Sequence, residues 1–433
     1  MEGINENKDR VTKKPRQGCT LEELLNLTVK AKRDNVCNTW GIKEVDEKYG
    51  YITRGTATIF SGRHGSGKST LLNKIVMENA RAGKSVVYLP LEMGAPSLYV
   101  MAATDKTNRE LRKQGKPTLD YKFALEGGLS DPGFEDIRVM YEENIKEVYH
   151  TAPETLVIVD EIFLTPKESY DPEDEEGEAM TVTATQQIQE LKDELTLIVD
   201  EHKPQLIAID HLHSMRPDKD GVDYEFYTAM STMLKGFAKT YGVAIFGICQ
   251  LTKEAQDKAI DISGSMFKGT SGWTQDSFKA ALMTGCTPPR VTNETLAKNV
   301  VAEYNALNEG LTQHKPARVY GDKIPEVPPE NSKKKPAKYA GWERHQFNWV
   351  SVEQVHDYVR ERFFDKFGAY REIHFVKARN AREGATTVIA KGGDFEFYCD
   401  GRLVVGPFDK EILEIDVNEN KQPTHPILGE PKK

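Results

Sequence analysis

The 433-residue sequence lacks the features that mark several large protein classes. It has five cysteines, Cys19, Cys37, Cys249, Cys286 and Cys399, and none stands in a Cys-x-x-Cys pair. A Cys-rich zinc ribbon and a disulfide scaffold are therefore excluded, and scattered thiols suit a reducing compartment. No apolar run approaches the roughly 20 residues that a spanning helix needs, so no membrane association is expected. The opening MEGINENKDRVTKKPRQG contains no apolar segment, so no secretory signal is expected. Cations are in the minority: 58 Lys and Arg face 67 Asp and Glu, a net charge of -9. That excludes a uniformly basic coat for nucleic acid but leaves room for a local basic groove. There are no internal repeats, and the length suits two or three domains.

What is present is an alternation of apolar strand-like runs with helical patterns. Residues 1–18 are polar and basic and read as a disordered tail. Residues 19–50 read as a linker or subunit-docking segment, with a helix from Thr20 whose capping box is Thr20 and Glu23. Next, TATIFSG (56–62), a helix ending at Gly83 and SVVYLPLE (85–92) form a strand-helix-strand unit. TLVIVDEIFL (155–164), QLIAID (205–210) and VAIFGIC (243–249) read as buried parallel strands, with helical patterns at 183–202 and 227–241. The acidic run 171–178 reads as a surface loop. The stretch 286–371 breaks the rhythm as an insertion, flexible over 315–341, with a helix at 351–367 opened by a Ser351–Gln354 capping box. Strands return over 372–410, and 411–433 reads as a tail. The class is α/β, with residues 51–285 as the main core.

The segment after the first strand is Gly62, Arg63, His64, Gly65, Ser66, Gly67, Lys68, Ser69, followed by Thr70. It fits G-x-x-x-x-G-K-[ST] at every fixed position, between a strand and a helix. Such a loop wraps backbone N–H groups around phosphates at a helix N-terminus; Lys68 is placed for the β- and γ-phosphates and Ser69 for Mg²⁺. ATP and Mg²⁺ are the cofactors this implies. A P-loop enzyme also needs an Asp on a neighbouring strand for the metal and a carboxylate to activate water. Two sets qualify: Asp160 with Glu161, or Asp210 with Glu92 at the end of the strand after the P-loop helix. The residues alone leave both open.

LPLEMGAP, IAIDHLHSM, GICQLTKE, FKGTSGWTQDSFKAAL and FVKARNAREG, in that order after the P-loop, resemble the successive signatures of the RecA-like ATPase core of DnaB-type replicative helicases. That family includes the helicase half of phage primase–helicases. The similarity covers about 40–285 and 372–399. It implies a RecA-like core with a mostly parallel sheet, Asp210 as the metal aspartate, Glu92 as the water-activating base and Gln250 as the γ-phosphate sensor. It further implies that Lys377 and Arg379 are fingers reaching the nucleotide of a neighbouring subunit in a hexameric ring. Loops 215–226 and 252–273 would then grip single-stranded DNA through Arg216, Lys219, Lys253, Lys258 and Lys268, with Gly269 and Thr270 beside it.

The function so implied is an ATP-dependent replicative helicase that translocates 5′ to 3′ on single-stranded DNA and unwinds a forked duplex. Loader, primase and polymerase partners go with it, as does a cytoplasmic location. The helical collar usual in the family has no room before residue 50, which leans toward a phage or mobile-element source. Two other readings stay open: a recombinase-like or regulatory DNA-dependent ATPase without unwinding, and an ATP-gated loader or replisome scaffold.

Overall fold

In the computed structural model the described residues are 37–92, 94–151, 155–162, 164, 168–169, 180–215, 224–253, 264–311, 316–320, 348–379, 381–391, 394–397, 403 and 405–414. The helix expected from Thr20, the acidic run 171–178 and the tail 1–18 lie outside them.

A single mixed sheet organises the molecule. Its strands are β1 (Ala57–Gly62), β2 (Val86–Leu89), β3 (Leu156–Ile158), β4 (Leu206–Ile209), β5 (Ala244–Cys249), β6 (Lys279–Gly285), β7 (Tyr370–Ala378), β8 (Gly384–Lys391) and β9 (Asp394–Phe397). They lie in the order β9-β8-β7-β6-β1-β5-β4-β2-β3. From β6 to β3 all neighbours are parallel. From β6 through β7 and β8 to β9 they are antiparallel. The parallel strands β1, β2, β4 and β5 are buried along their whole length. That is why they read as unbroken apolar runs: helices cover both faces. The run 155–164 reads as one long strand, but pairing stops at Ile158 because β3 is the outer edge of the parallel part.

Helix α1 (Lys68–Arg81) follows β1 and buries Leu71, Leu72, Ile75 and Val76 against one face. On the other face lie α2 (Ala184–His202) and α3 (Tyr224–Tyr241). The first of these begins at Thr183, whose hydroxyl accepts from the Gln186 N–H while the Gln186 side chain accepts from the Thr183 N–H. Two helices not anticipated from the sequence, Ala95–Lys113 and Glu135–Thr151, pack on each other beside β2.

The described part of the expected linker segment belongs to this same core. Trp40 is fully buried among Phe60, Phe246 and Phe375, and Tyr49 stacks on Phe375 at 4.1 Å. Lys279, a cation on the buried strand β6, ties that segment down: its Nζ donates to the carbonyls of Gly50, at 2.6 Å, and Tyr51. Burial pushes its pKa down to about 8, against the pull of the nearby Asp46 carboxylate; burial raises Asp46 to about 6.

The described residues of the insertion 286–371 build a folded module. Helices Glu294–Leu307 and Val352–Phe367 close a second core of Val291, Val300, Tyr304, Val355, Val359 and Phe363. The longer helix starts at the Ser351–Gln354 capping box. Within the stretch expected to be flexible, Ala317–Val319 is a strand paired in parallel with Asn348–Val350. The start of the expected tail is corrected as well, since Ile412 and Leu413 are buried in this second core. The module leaves the sheet at Gly285 and returns at Arg371, which are partners across β6 and β7. No described helix is long and apolar enough to cross a membrane.

Lys279→Ala strips two backbone carbonyls of their donor. It is expected to lower stability by about 2–4 kcal/mol, as leaving buried acceptors unpaired does, read by urea denaturation. A loss under about 1 kcal/mol would show that the amine bears no weight in this packing.

Candidate nucleotide site at the sheet edge

The carboxyl ends of the parallel strands all face one edge, where ligands bind in open α/β sheets. The P-loop leaves that edge from β1. Gly62 admits no side chain: a Cβ there would stand 2.5 Å from the Met283 carbonyl and 2.7 Å from Ser66 Oγ. Gly67 takes a left-handed conformation, φ 95°, to start α1. The loop is held by Ser66 N–H donating to the Arg63 carbonyl at 3.1 Å, and Lys68 Nζ folds back to the same carbonyl at 2.9 Å. Ser66 Oγ is buried without a partner, as expected of a loop shaped around a group that the protein itself does not supply.

Asp210 follows β4, two strands from β1, about 10 Å at the usual strand spacing. It is 2% exposed and accepts a hydrogen bond from Ser69. Burial raises its pKa, and the Ser69 bond opposes that shift. Burial lowers the pKa of Lys68, against the pull of Asp210 and Glu92. A hydroxyl and one carboxylate are what a phosphate-bound Mg²⁺ takes from a protein, so Ser69 and Asp210 fit that ion and the glycine-lined loop fits polyphosphate. No cluster of three or more His, Cys, Asp or Glu able to hold a metal occurs among the described residues.

Glu92 is drawn over Asp210 by its N–H, which donates to the Asp210 carbonyl at 3.1 Å. Its carboxylate is 55% exposed, open to a water. Asp160 and Glu161 are also exposed but lie past β3, four strands from β1 and so about 19 Å away. Geometry therefore gathers Lys68, Ser69, Asp210 and Glu92 and leaves Asp160 and Glu161 outside.

Gln250 ends β5, between the P-loop strand and the Asp210 strand. Its Nε2 meets His211 Nε2 at 2.5 Å and its Oε1 accepts from Lys268 Nζ at 3.3 Å. His213, 4.7 Å from the Tyr227 ring, accepts the Gln250 N–H at Nδ1 and meets the Lys268 carbonyl through Nε2. Burial lowers the His213 pKa to about 4, so it stays neutral and can serve both bonds near pH 7. The expected DNA contacts separate here. Arg216, Lys219 and Lys258 lie outside the described residues; Lys253 is exposed; Lys268 points at Gln250. Gly269 packs against Tyr227, and Thr270 is buried with its hydroxyl on Thr228 and the Gly272 N–H. Thr270 therefore shapes the loop and does not reach outward.

Lys377 and Arg379 stand at the opposite edge. Lys377 pairs with Ala280 near the start of β6, and Lys279 pairs with Thr58 near the start of β1. Both cations reach the Gln275 carbonyl, Lys377 at 2.7 Å and Arg379 at 3.4 Å. At the P-loop end of the same strand is Arg371, whose Nε donates to the Ser66 carbonyl at 3.1 Å. Lys377 is six positions further along, about 20 Å at strand rise, so neither finger candidate can serve its own P-loop. Sequence reasoning does not single out Arg371, His211 or His213. The D-H-L-H spelling after β4 is the available signal for the histidines; nothing local marks Arg371.

The sequence matches the family described as an AAA domain over residues 46–256. No curated protein matches the chain. Among solved structures, the fold is similar to one described as an ATPase domain, with TM-score 0.53, 11% identity, 88% of this chain and 100% of that one. It is also similar to "The Structure Of A DnaB-Like Replicative Helicase And Its Interactions With Primase", with TM-score 0.52, 13% identity, 87% of this chain and 68% of that one. The likeness is one of fold, an α/β ATPase core with a mostly parallel sheet, and it agrees with the RecA-like core that the motifs imply.

Asp210→Asn is expected to cut ATP turnover about 100-fold or more, and Glu92→Gln to do the same while ATP binding persists. The Asp160→Asn/Glu161→Gln double variant should stay within about twofold of wild type. Steady-state ATPase assays with a nucleotide-binding control decide it, and the reverse pattern would return the roles to Asp160 and Glu161.

Proposed function

We propose that the chain is the motor subunit of a ring-forming replicative DNA helicase that uses ATP to move 5′ to 3′ along single-stranded DNA and part a forked duplex. The observation that carries this reading is the division of the site between two sheet edges. Lys68, Ser69, Asp210 and Glu92 meet at one edge, and Lys377 and Arg379 stand about 20 Å away at the other. Such a chain is complete only beside another copy, whose cations would cover the γ-phosphate.

In that arrangement the P-loop amides and Lys68 hold the phosphates. Ser69 and Asp210 would hold Mg²⁺, which when bound would neutralise charge on the phosphate oxygens. Glu92 orients a water for in-line attack and accepts its proton. The partner's cations stabilise charge spread on the transferred group, an effect worth about 10³–10⁵ in rate for arginine fingers. Gln250 stands between this edge and the loop that carries Lys268, so hydrolysis and grip on the DNA backbone can be linked. Phosphate contacts from lysines and backbone amides carry no base readout, which suits movement along any sequence. The polarity, the hexameric ring and the helicase partners rest on the resemblance to DnaB-type helicases; primase contact is named for one of the similar structures, and a loader, primase or polymerase is the partner class proposed here.

The test is strand separation on matched forks bearing only a 5′ or only a 3′ single-stranded tail. ATP-dependent unwinding confined to the 5′-tailed fork is the expected result. Hydrolysis stimulated by single-stranded DNA without unwinding of either fork would favour a DNA-dependent ATPase of another kind.

A further inference from the structure

Both ends of the Gln250 amide are engaged inside the protein in the arrangement seen here. Oε1 accepts from Lys268 Nζ at 3.3 Å, which fixes the amide orientation, since a lysine can only donate. Nε2 is then the donor facing His211 Nε2 at 2.5 Å, so that ring nitrogen acts as acceptor. The other ring nitrogen, Nδ1, bonds Ser214 Oγ at 2.7 Å and is left to donate. His211 is 7% exposed and follows Asp210 directly, so its ring has little freedom. Its Nε2 also faces the Glu92 carboxylate at 3.6 Å, beyond hydrogen-bond reach, with a lone pair in place of a proton.

We propose that His211 is a positioning residue that, with Lys268, latches Gln250 away from the nucleotide until single-stranded DNA draws Lys268 off. This rests on the DNA-dependent ATPase reading and goes beyond it by naming what restrains the enzyme without DNA. A phosphodiester is a stronger partner for an ammonium than a neutral amide, because both partners are charged. Once Lys268 moves to the DNA backbone, Gln250 is held only through Nε2 on His211, and exchanging that one bond turns its NH2 donor toward the γ-phosphate. The Lys268 carbonyl stays anchored meanwhile by Trp273 Nε1 at 3.1 Å and His213 at 3.0 Å, so the side chain can swing without unfolding the loop.

The latch predicts that removing either hold raises turnover in the absence of DNA. In His211→Ala, DNA-free ATPase should climb several-fold toward the DNA-stimulated rate, and the stimulation ratio should fall toward one. His211→Gln places an amide oxygen near the position of Nε2 and should restore the wild-type ratio. Lys268→Met separates the latch from a plain DNA contact without touching the buried histidine. The latch requires raised DNA-free turnover, whereas a plain contact would leave that rate at the wild-type level and only weaken the DNA response. Wild-type stimulation ratios in His211→Ala, or DNA-free turnover unchanged in Lys268→Met, would overturn the latch alone. A wild-type enzyme whose ATPase ignores single-stranded DNA would overturn the DNA-dependent reading and the latch with it.

Discussion

Parallel pairing of β1 with β5, and of β5 with β4, is the constraint on which the rest of the site depends. Parallel strands bring their carboxyl ends to one edge, so the P-loop, Gln250 and Asp210 arrive side by side about 5 Å apart per strand. Glu92 comes from the next strand and is pulled inward by one backbone hydrogen bond. The turn to antiparallel pairing at β6 and β7 has the opposite effect. It brings Arg371 to the P-loop edge and carries Lys377 and Arg379 away from it. One sheet thus sets the P-loop group and the Lys377–Arg379 pair at opposite ends, as the proposed division of the site between two copies requires.

Burial supplies the electrostatic character of the half that holds the P-loop. Asp210 and Lys68 are each pushed toward neutrality by desolvation, and each resists through the other's charge. In a medium less polarisable than water these interactions strengthen, and a buried hydroxyl with no protein partner, as at Ser66, is costly unless a ligand arrives. The same logic holds the scaffold together. Lys279 is buried in a strand, and its amine is committed to two backbone carbonyls of the segment that closes over Trp40.

Much of this is legible in the sequence, and for identifiable reasons. The P-loop is a local pattern whose spacing encodes its conformation, and buried strands announce themselves as apolar runs. The helices opening at Thr183 and Ser351 are marked by capping boxes, each a contact between residues three apart. What cannot be read is set by long-range placement. The choice between Asp210 and Asp160 depends on strand order, which neither segment contains. The 155–164 strand reads as too long because its sequence does not reveal that it lies at an edge. The insertion looks flexible because its strand at Ala317–Val319 finds its partner only at Asn348–Val350, across a polar stretch. Thr270 looks like a surface contact because its bond to Thr228 spans 42 positions.

The division of the site between two copies is best tested by mixing Lys68→Ala subunits with Arg379→Ala subunits and measuring ATP hydrolysis across a range of ratios. Each variant alone should be inactive, and mixing should recover activity at the junctions where an intact P-loop meets an intact finger. No recovery at any ratio, in oligomers shown to contain both variants, would contradict completion of the site by a neighbouring copy.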